Sequence, residues 1–361
     1  VLDFSTLLPG PMATLLLAEA GAEVIKVERP DGEDMRRYEP RFGDTSASFA
    51  MLNRGKRSVA LDLKAPGAKA RLLPLLETAD VLVEQFRPGV MDRLGLGYGA
   101  LREINPGLIY CSITGYGQQG PKSPIAAHDL NYQADTGMLA IAAGSDGAPV
   151  VPQALVADIA GGSYPAVMNI LLALRQRDRT HAGCYIDISM TDCLFPFMFW
   201  AMGTGNTTGK WPEPGQEMLS GGSARYQVYR TEDGQFLAAA PLEDRFWSVF
   251  CEVIELPAHL RDDSMDGQAT LRAVAELIAD RPAAEWMKRF EGRDACCNLV
   301  RNVEEALRDP HYRGRGLFAH SVTAANGDEL MANCVPFASA LREPRTEVPY
   351  PILGADNDLL A

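Results

Sequence analysis

The chain has 361 residues, 47% of them hydrophobic and 22% charged, with a formal net charge of −13. Those proportions exclude a largely disordered chain, and the charge excludes a general nucleic-acid binder, because a phosphate backbone would be repelled. The seven cysteines are scattered and odd in number with no C-x-x-C pair, which speaks against a zinc site or a thioredoxin-like motif and fits a reducing, cytoplasmic setting.

Val1-Leu-Asp-Phe reads as a short buried strand, met in mid-strand, so that residues ahead of it are expected. Leu8-Pro-Gly-Pro11 is a turn, and Met12 to Ala22 an Ala/Leu helix stopped by Gly21. This apolar run follows two prolines, contains Glu19 and lacks a basic leader, so it is not read as a signal core. No apolar run is read as reaching the ~18 residues of a membrane span. Glu23 to Glu28 alternates as a second strand and completes a β-α-β unit with a parallel pair. Residues 30 to 57 are rich in Pro, Gly and charge and read as a long loop. Arg57 to Lys64 is a third strand, 66 to 78 a helix, Val81 to Glu84 a fourth strand. Short helices are expected at Gly89 to Leu94 and Tyr98 to Ile104, and a further strand at Leu108 to Ile113. Strands alternating with helices point to an α/β domain with a parallel sheet.

Gly115-Tyr-Gly-Gln-Gln-Gly120 matches G-x-G-x-x-G after a strand. A dinucleotide site requires a helix to open there, whereas Pro121-Lys-Ser-Pro124 breaks one, so a turn at the ligand-binding edge of the sheet is the preferred reading. Ala160 to Arg175 reads as a long apolar helix. Its early Gly161-Gly162 pair costs stability and so points to close approach by backbone or ligand. Tyr185 to Met190 is a strand and 190 to 202 a bulky apolar helix. Residues 203 to 222 read as a linker. A β-hairpin (224–230 and 235–240) follows, with helices at about 243–254, 268–280, 283–290 and 302–307, strands within Leu317 to Ala338, and a Pro-rich arm at 344–352. The expected architecture is a Rossmann-like parallel-sheet domain (1–202, completed by about 325–361), a linker, and a smaller α+β domain (223–324).

Chemistry gathers between residues 126 and 162. His128, one of only five histidines, stands beside Asp129, with Asn131 and Tyr132 following and Asp158 thirty residues on at the mouth of the apolar helix. That is the set expected of acid–base work at carbon. Taken singly, each element has a plainer reading: His128-Asp129 as a surface pair or cap, Asp158 as a helix N-cap, Glu243 as compensation of a helix dipole. Between Lys26 and Lys64 nine Lys/Arg stand against seven Asp/Glu, a basic cluster that is either an anion site or a salt-bridged loop.

Segments along nearly the whole chain resemble the family III CoA-transferase and racemase superfamily of CaiB/BaiF type. They include Val1-Leu-Asp-Phe with Pro9-Gly-Pro11, Gly21 to Pro30, Asn53-Arg-Gly-Lys-Arg-Ser, Leu61-Asp-Leu-Lys64, Gln85-Phe-Arg-Pro-Gly-Val-Met-Asp-Arg93, Ser112 to Gly117, Val156-Ala-Asp158 and Asp309-Pro-His. His128-Asp129 and the short Ser220-Gly-Gly-Ser loop are similar to the α-methylacyl-CoA racemase branch, and Glu243 stands where that branch has a glutamate. The resemblance implies an isomerase that epimerises 2-methylacyl-CoA thioesters, with His128 and Asp158 as the two bases and Asp129 and Glu243 orienting His128. It places Arg29, Leu61, Lys64, Gln85, Phe86, Arg87, Arg93 and Tyr132 around coenzyme A. It further implies an interlocked homodimer, no metal, and no prosthetic group beyond the CoA of the substrate. A CoA-transferase with Asp158 as nucleophile and a CoA-thioester binder without turnover stay open.

Overall fold

The computed structural model describes residues 1–144, 146–342 and 344–360. Chain contacts divide it into two units. The first holds Val1–Thr136, Gln153–Phe197 and Pro310–Ala361, the second Gly137–Pro152 and Met198–Asp309. The C-terminal return thus begins nearer residue 310 than 325, and a short segment after Thr136 belongs with the second unit.

The first unit is built on six parallel strands: β1 (Leu2–Phe4), β2 (Ile25–Glu28), β3 (Arg57–Ala60), β4 (Val81–Glu84), β5 (Ile109–Thr114) and β6 (Cys184–Ser189). Their order across the sheet is β3-β2-β1-β4-β5-β6. Helices cover the sheet, chief among them α1 (Pro9–Glu19), α2 (Ala68–Thr78), α3 (Asp129–Asp135) and α4 (Tyr164–Thr180). Strands covered on both faces lose the alternation of half-exposed ones: Leu2, Phe4, Val59, Leu82, Ile109 and Tyr110 are all buried. The order reverses between β1 and β4, and such a switch point opens a crevice at the carboxyl ends of the strands.

The buried Lys56–Asp3 pair is satisfied locally. Lys56 Nζ donates to Asp3 Oδ2 at 3.0 Å, Pro11 O at 2.9 Å, Thr14 Oγ1 at 2.8 Å and Asn53 Oδ1 at 2.8 Å. Burial pulls the Lys56 ammonium down to about 8. Burial also works against the Asp3 carboxylate, but Lys56 and Lys26 overcome it and hold Asp3 well below its ordinary range.

Four features differ from the sequence reading. The stretch 30–57 is not all loop: Ala47–Asn53 is helical, capped by Ser46, whose hydroxyl accepts the Phe49 N–H at 3.0 Å. The apolar helix after Asp158 begins with a π-helical turn, Ala157–Ser163, before α4 proper. The expected helix at 190–202 is a 3₁₀ stretch over Asp192–Met198 followed by an α-helix, Phe199–Thr208, that runs into the expected linker. Finally, the continuous helical stretch Ala157–Thr180 is long and apolar enough to cross a bilayer by length and composition, although no such run was read from the sequence; half of its most apolar window is buried in the fold.

The Gly161-Gly162 pair answers to backbone approach. A Cβ on Gly161 would lie 2.6 Å from the carbonyl oxygen of Met190, and one on Gly162 would meet Pro9 and Met190 at 3.0–3.2 Å. Overpacking of this kind costs about 1–3 kcal/mol, so glycine is what lets the helix start seat against the end of β6. No helix opens at Gly115–Gly120; the next is α3. Gly115 instead makes room for the Tyr132 ring, which would lie 2.3 Å from an added Cβ.

The second unit carries an antiparallel three-stranded sheet: β7 (Gln227–Arg230), β8 (Phe236–Ala239) and β9 (Cys297–Leu299), in the order β9-β8-β7. Its core gathers Trp247, Phe250, Trp286 and Phe290. The helix α5 (Asp244–Val253) starts directly after Glu243.

Candidate active site

Two cavities lie at the carboxyl edge of the parallel sheet, and both reach the switch point. The larger, about 1010 Å³, is walled by residues that follow β1, β2, β3 and β4, among them Arg29, Leu61, Lys64, Phe86 and Arg93. The smaller, about 370 Å³, lies past β4 and β5 and is lined by Gln85, Phe86, Arg87, His128, Tyr132 and Asp158. Every residue expected around coenzyme A therefore borders one cavity or the other. Both expected bases border the smaller one.

His128 is exposed and sits at the N-cap of α3, with extended backbone. Its own N–H is accepted by Asn131 Oδ1 at 3.0 Å, which fixes the point where chain turns into helix and leaves the imidazole free to face the cavity. Asp158 lies in the π turn ahead of α4, part-buried. Burial is the main reason its carboxyl is pushed up to about 6. The Asp129 carboxylate adds to the rise and His128 opposes it.

Asp129 was expected to orient His128, and here the structure corrects the reading. Asp129 Oδ1 accepts the backbone N–H of Asp158 at 3.0 Å, and Oδ2 accepts Gln133 Nε2 at 2.6 Å. The first helical position of α3 aims this side chain inward, where it is buried, so it braces the Asp158 turn instead of the imidazole. The same bond commits the Asp158 backbone amide, which is therefore not a free donor toward the cavity. Gln133, one turn along α3 from Asp129, was missed; its i,i+4 spacing from Asp129 was the available signal.

Tyr132 borders the cavity mainly as a strut. Its hydroxyl donates to Ala127 O at 2.8 Å, and burial, followed by the nearby Asp158 and Asp129, pushes it up to about 12. Gln85 likewise spends its side-chain oxygen on the Gly10 N–H at 3.0 Å. Glu243 is exposed in the second unit, where it precedes α5 without a side-chain capping bond.

In the larger cavity the three expected cations are not equivalent. Arg29 is engaged by Asp31 at 3.0 Å, Asp34 at 2.5 Å and Gly32 O at 2.6 Å, so the salt-bridged-loop reading holds for it. Lys64 and Arg93 form no ion pair with a described residue. They are the uncommitted cations of this cleft, suited to a phosphate-bearing ligand. No cluster of His, Cys, Asp or Glu fit to hold a metal occurs among the described residues.

The profile of CoA-transferase family III matches residues 1–357. The chain belongs to this family. It is 37% identical over 329 residues to human alpha-methylacyl-CoA racemase, spanning 89% of this chain and 81% of the human protein. It is also 36% identical over 332 residues to acetyl-CoA:oxalate CoA-transferase of Acetobacter aceti, spanning 89% and 84% of the two chains. Among solved structures, Rv3272 of Mycobacterium tuberculosis superposes with a TM-score of 0.84 at 27% identity, covering 100% of this chain and 97% of that one. A CaiB/BaiF family protein of Brucella suis superposes with a TM-score of 0.82 at 27% identity, covering 99% and 96%. The family is thus that of enzymes acting on CoA thioesters, and it includes both racemases and CoA-transferases.

Proposed function

We propose that the protein epimerises 2-methylacyl-CoA thioesters by removing and returning the α-proton. The observation that carries this reading is the meeting of His128 and Asp158 at one cavity. A transferase mechanism needs Asp158 alone, as a nucleophile. Epimerisation needs two groups, one to take the proton and one to supply it on the other face. An Asp158 carboxyl near 6 binds a proton far more readily than an ordinary aspartate, as an acid that must deliver one near neutral pH requires. The thioester carbonyl becomes an enolate during the exchange and requires hydrogen-bond donors held at its oxygen.

Lys64 and Arg93 would meet the phosphates of CoA. Replacing either with alanine is expected to weaken CoA binding about tenfold, consistent with loss of one charge-assisted contact, and raising the salt concentration should narrow the difference. Titration calorimetry with CoA at two ionic strengths checks this. A homodimer forms part of the proposal. Met168, Leu171 and Leu172 on α4, with Phe195, are exposed apolar side chains of the first unit, the kind of surface a second copy covers. Glu243 of one chain would then stand beside His128 of the other.

As pH falls through about 6, the Asp158 carboxylate becomes protonated and can no longer take the α-proton, so kcat/KM should drop. In Asp129→Asn the charge that helps raise Asp158 is gone while burial remains, so this acidic limb should move to lower pH. A pH–rate profile of the two proteins reads the shift; an unmoved limb would remove Asp129 from the account. The overall activity is tested by incubating a single 2-methylacyl-CoA epimer without any free acid and following the second epimer by chiral chromatography.

The transferase remains the second reading, because Asp158 serves both chemistries and the Acetobacter relative is nearly as similar as the human racemase.

A further inference from the structure

The two cavities have two wall residues in common, Leu7 and Phe86. Leu7 follows β1 and Phe86 follows β4, so the pair stands over the switch point itself. Each is held in a way that ordinary packing does not explain.

Leu7 has a left-handed backbone, φ 63°, which a branched non-glycine residue adopts only when its surroundings impose it. The imposing groups surround its segment. The Ser5 N–H donates to Asp3 Oδ1 at 2.9 Å, and Ser5 O accepts from Lys26 Nζ at 2.7 Å. Pro9 O accepts from Ser163 Oγ at 2.8 Å, and the Gly10 N–H donates to Gln85 Oε1 at 3.0 Å. The last bond joins the Leu7 segment directly to the Phe86 segment.

Phe86 is held from beneath by Glu84. The Phe86 N–H donates to Glu84 Oε2 at 2.8 Å. The other carboxylate oxygen accepts from Ser112 Oγ, which in turn accepts from the Tyr185 hydroxyl at 3.2 Å. Glu84 is 3% exposed and has no cation in ion-pair contact among the described residues. A buried carboxyl without a cation is costly, and the bond it supplies to the Phe86 backbone is a reason for its presence.

We propose that Leu7 and Phe86 form a fixed gate over which the pantetheine arm of an acyl-CoA passes from the large cleft to the reaction cavity, with Glu84 as the positioning residue of the Phe86 side. The inference rests on the CoA-thioester reading. A ligand confined to one cavity does not cross the gate, which gives a readout that a general loss of stability would not produce.

The test compares Phe86→Ala, Glu84→Ala and Glu84→Gln by titration calorimetry with two probes, a 2-methylacyl-CoA and adenosine 3′,5′-bisphosphate, which carries the nucleotide end without the arm. Phe86→Ala and Glu84→Ala should weaken the acyl-CoA about tenfold and the bisphosphate less than threefold. Glu84→Gln keeps an oxygen for the Phe86 amide and turns its NH₂ to the Ser112 hydroxyl, so it should lose much less acyl-CoA affinity than Glu84→Ala. Equal loss for both probes, or Glu84→Gln as weak as Glu84→Ala, would overturn the gate. Should Glu84→Ala not fold, Phe86→Ala, whose side chain borders open cavities, decides alone. Failure of epimerisation would leave this binding comparison intact, so the two proposals fail separately. Binding of neither probe by the unaltered protein would defeat both.

Discussion

Asp158→Asn is expected to lower α-proton exchange by about 10³-fold or more, within the range seen when a positioned acid or base is removed, and to stabilise the fold at the same time. The two effects share one cause. Asp158 is part-buried beside the Asp129 carboxylate, and both features disfavour its ionised form. Its pKa in the fold, about 6, lies above the ordinary aspartate value of 3.8. Below pH 3.8 the group is neutral in folded and unfolded chains alike, and it costs the fold nothing. As pH rises toward 6 the unfolded chain loses the proton more readily, so the native protein loses stability through that window. Above about 6 the loss is complete. Asparagine never ionises and preserves the shape, so the variant should melt about 2–4 °C higher than the original at pH 8 and equally at pH 4. Thermal melts at the two pH values check this. Equal melting temperatures at both would show that Asp158 is not a strained carboxylate.

His128→Ala should abolish epimerisation, again by about 10³-fold, with CoA binding unchanged within about twofold. His128 is exposed at a helix start and its backbone, not its ring, makes the capping bond with Asn131. Removing the ring therefore takes away a base and leaves α3 intact. Circular dichroism and calorimetry with CoA separate the two. Full activity in His128→Ala would withdraw the main reason for preferring a racemase to a transferase.

The sequence carried the parallel sheet because its strands and helices alternate with clear apolar patterning, and it carried the cavity-lining residues because they fall in motifs of a recognisable family. Ala47–Asn53 was hidden by its setting: a capped helix of about two turns flanked by Pro, Gly and charge reads as loop when its buried apolar face, chiefly Phe49 and Leu52, is so short. The role of Asp129 was hidden for a different reason. Adjacency in sequence suggested His128 as its partner, but the N-cap position sends consecutive side chains in opposite directions, and the amide that Asp129 accepts comes from a turn 29 residues away. Leu7 carried no signal at all, since a left-handed leucine is set by the groups around it and not by its own identity. The Gly161-Gly162 pair did signal close approach, and the structure gives its partners as Met190 and Pro9.

The central claim, that His128 and Asp158 exchange the proton on the carbon next to the thioester, is tested most directly by incubating the protein with a 2-methylacyl-CoA in D2O without any free carboxylic acid. The account predicts deuterium at the α-carbon, lost in both His128→Ala and Asp158→Asn. No deuterium there, together with movement of CoA to an added acid and covalent trapping of Asp158 by hydroxylamine or borohydride, would contradict it and make the protein a CoA-transferase.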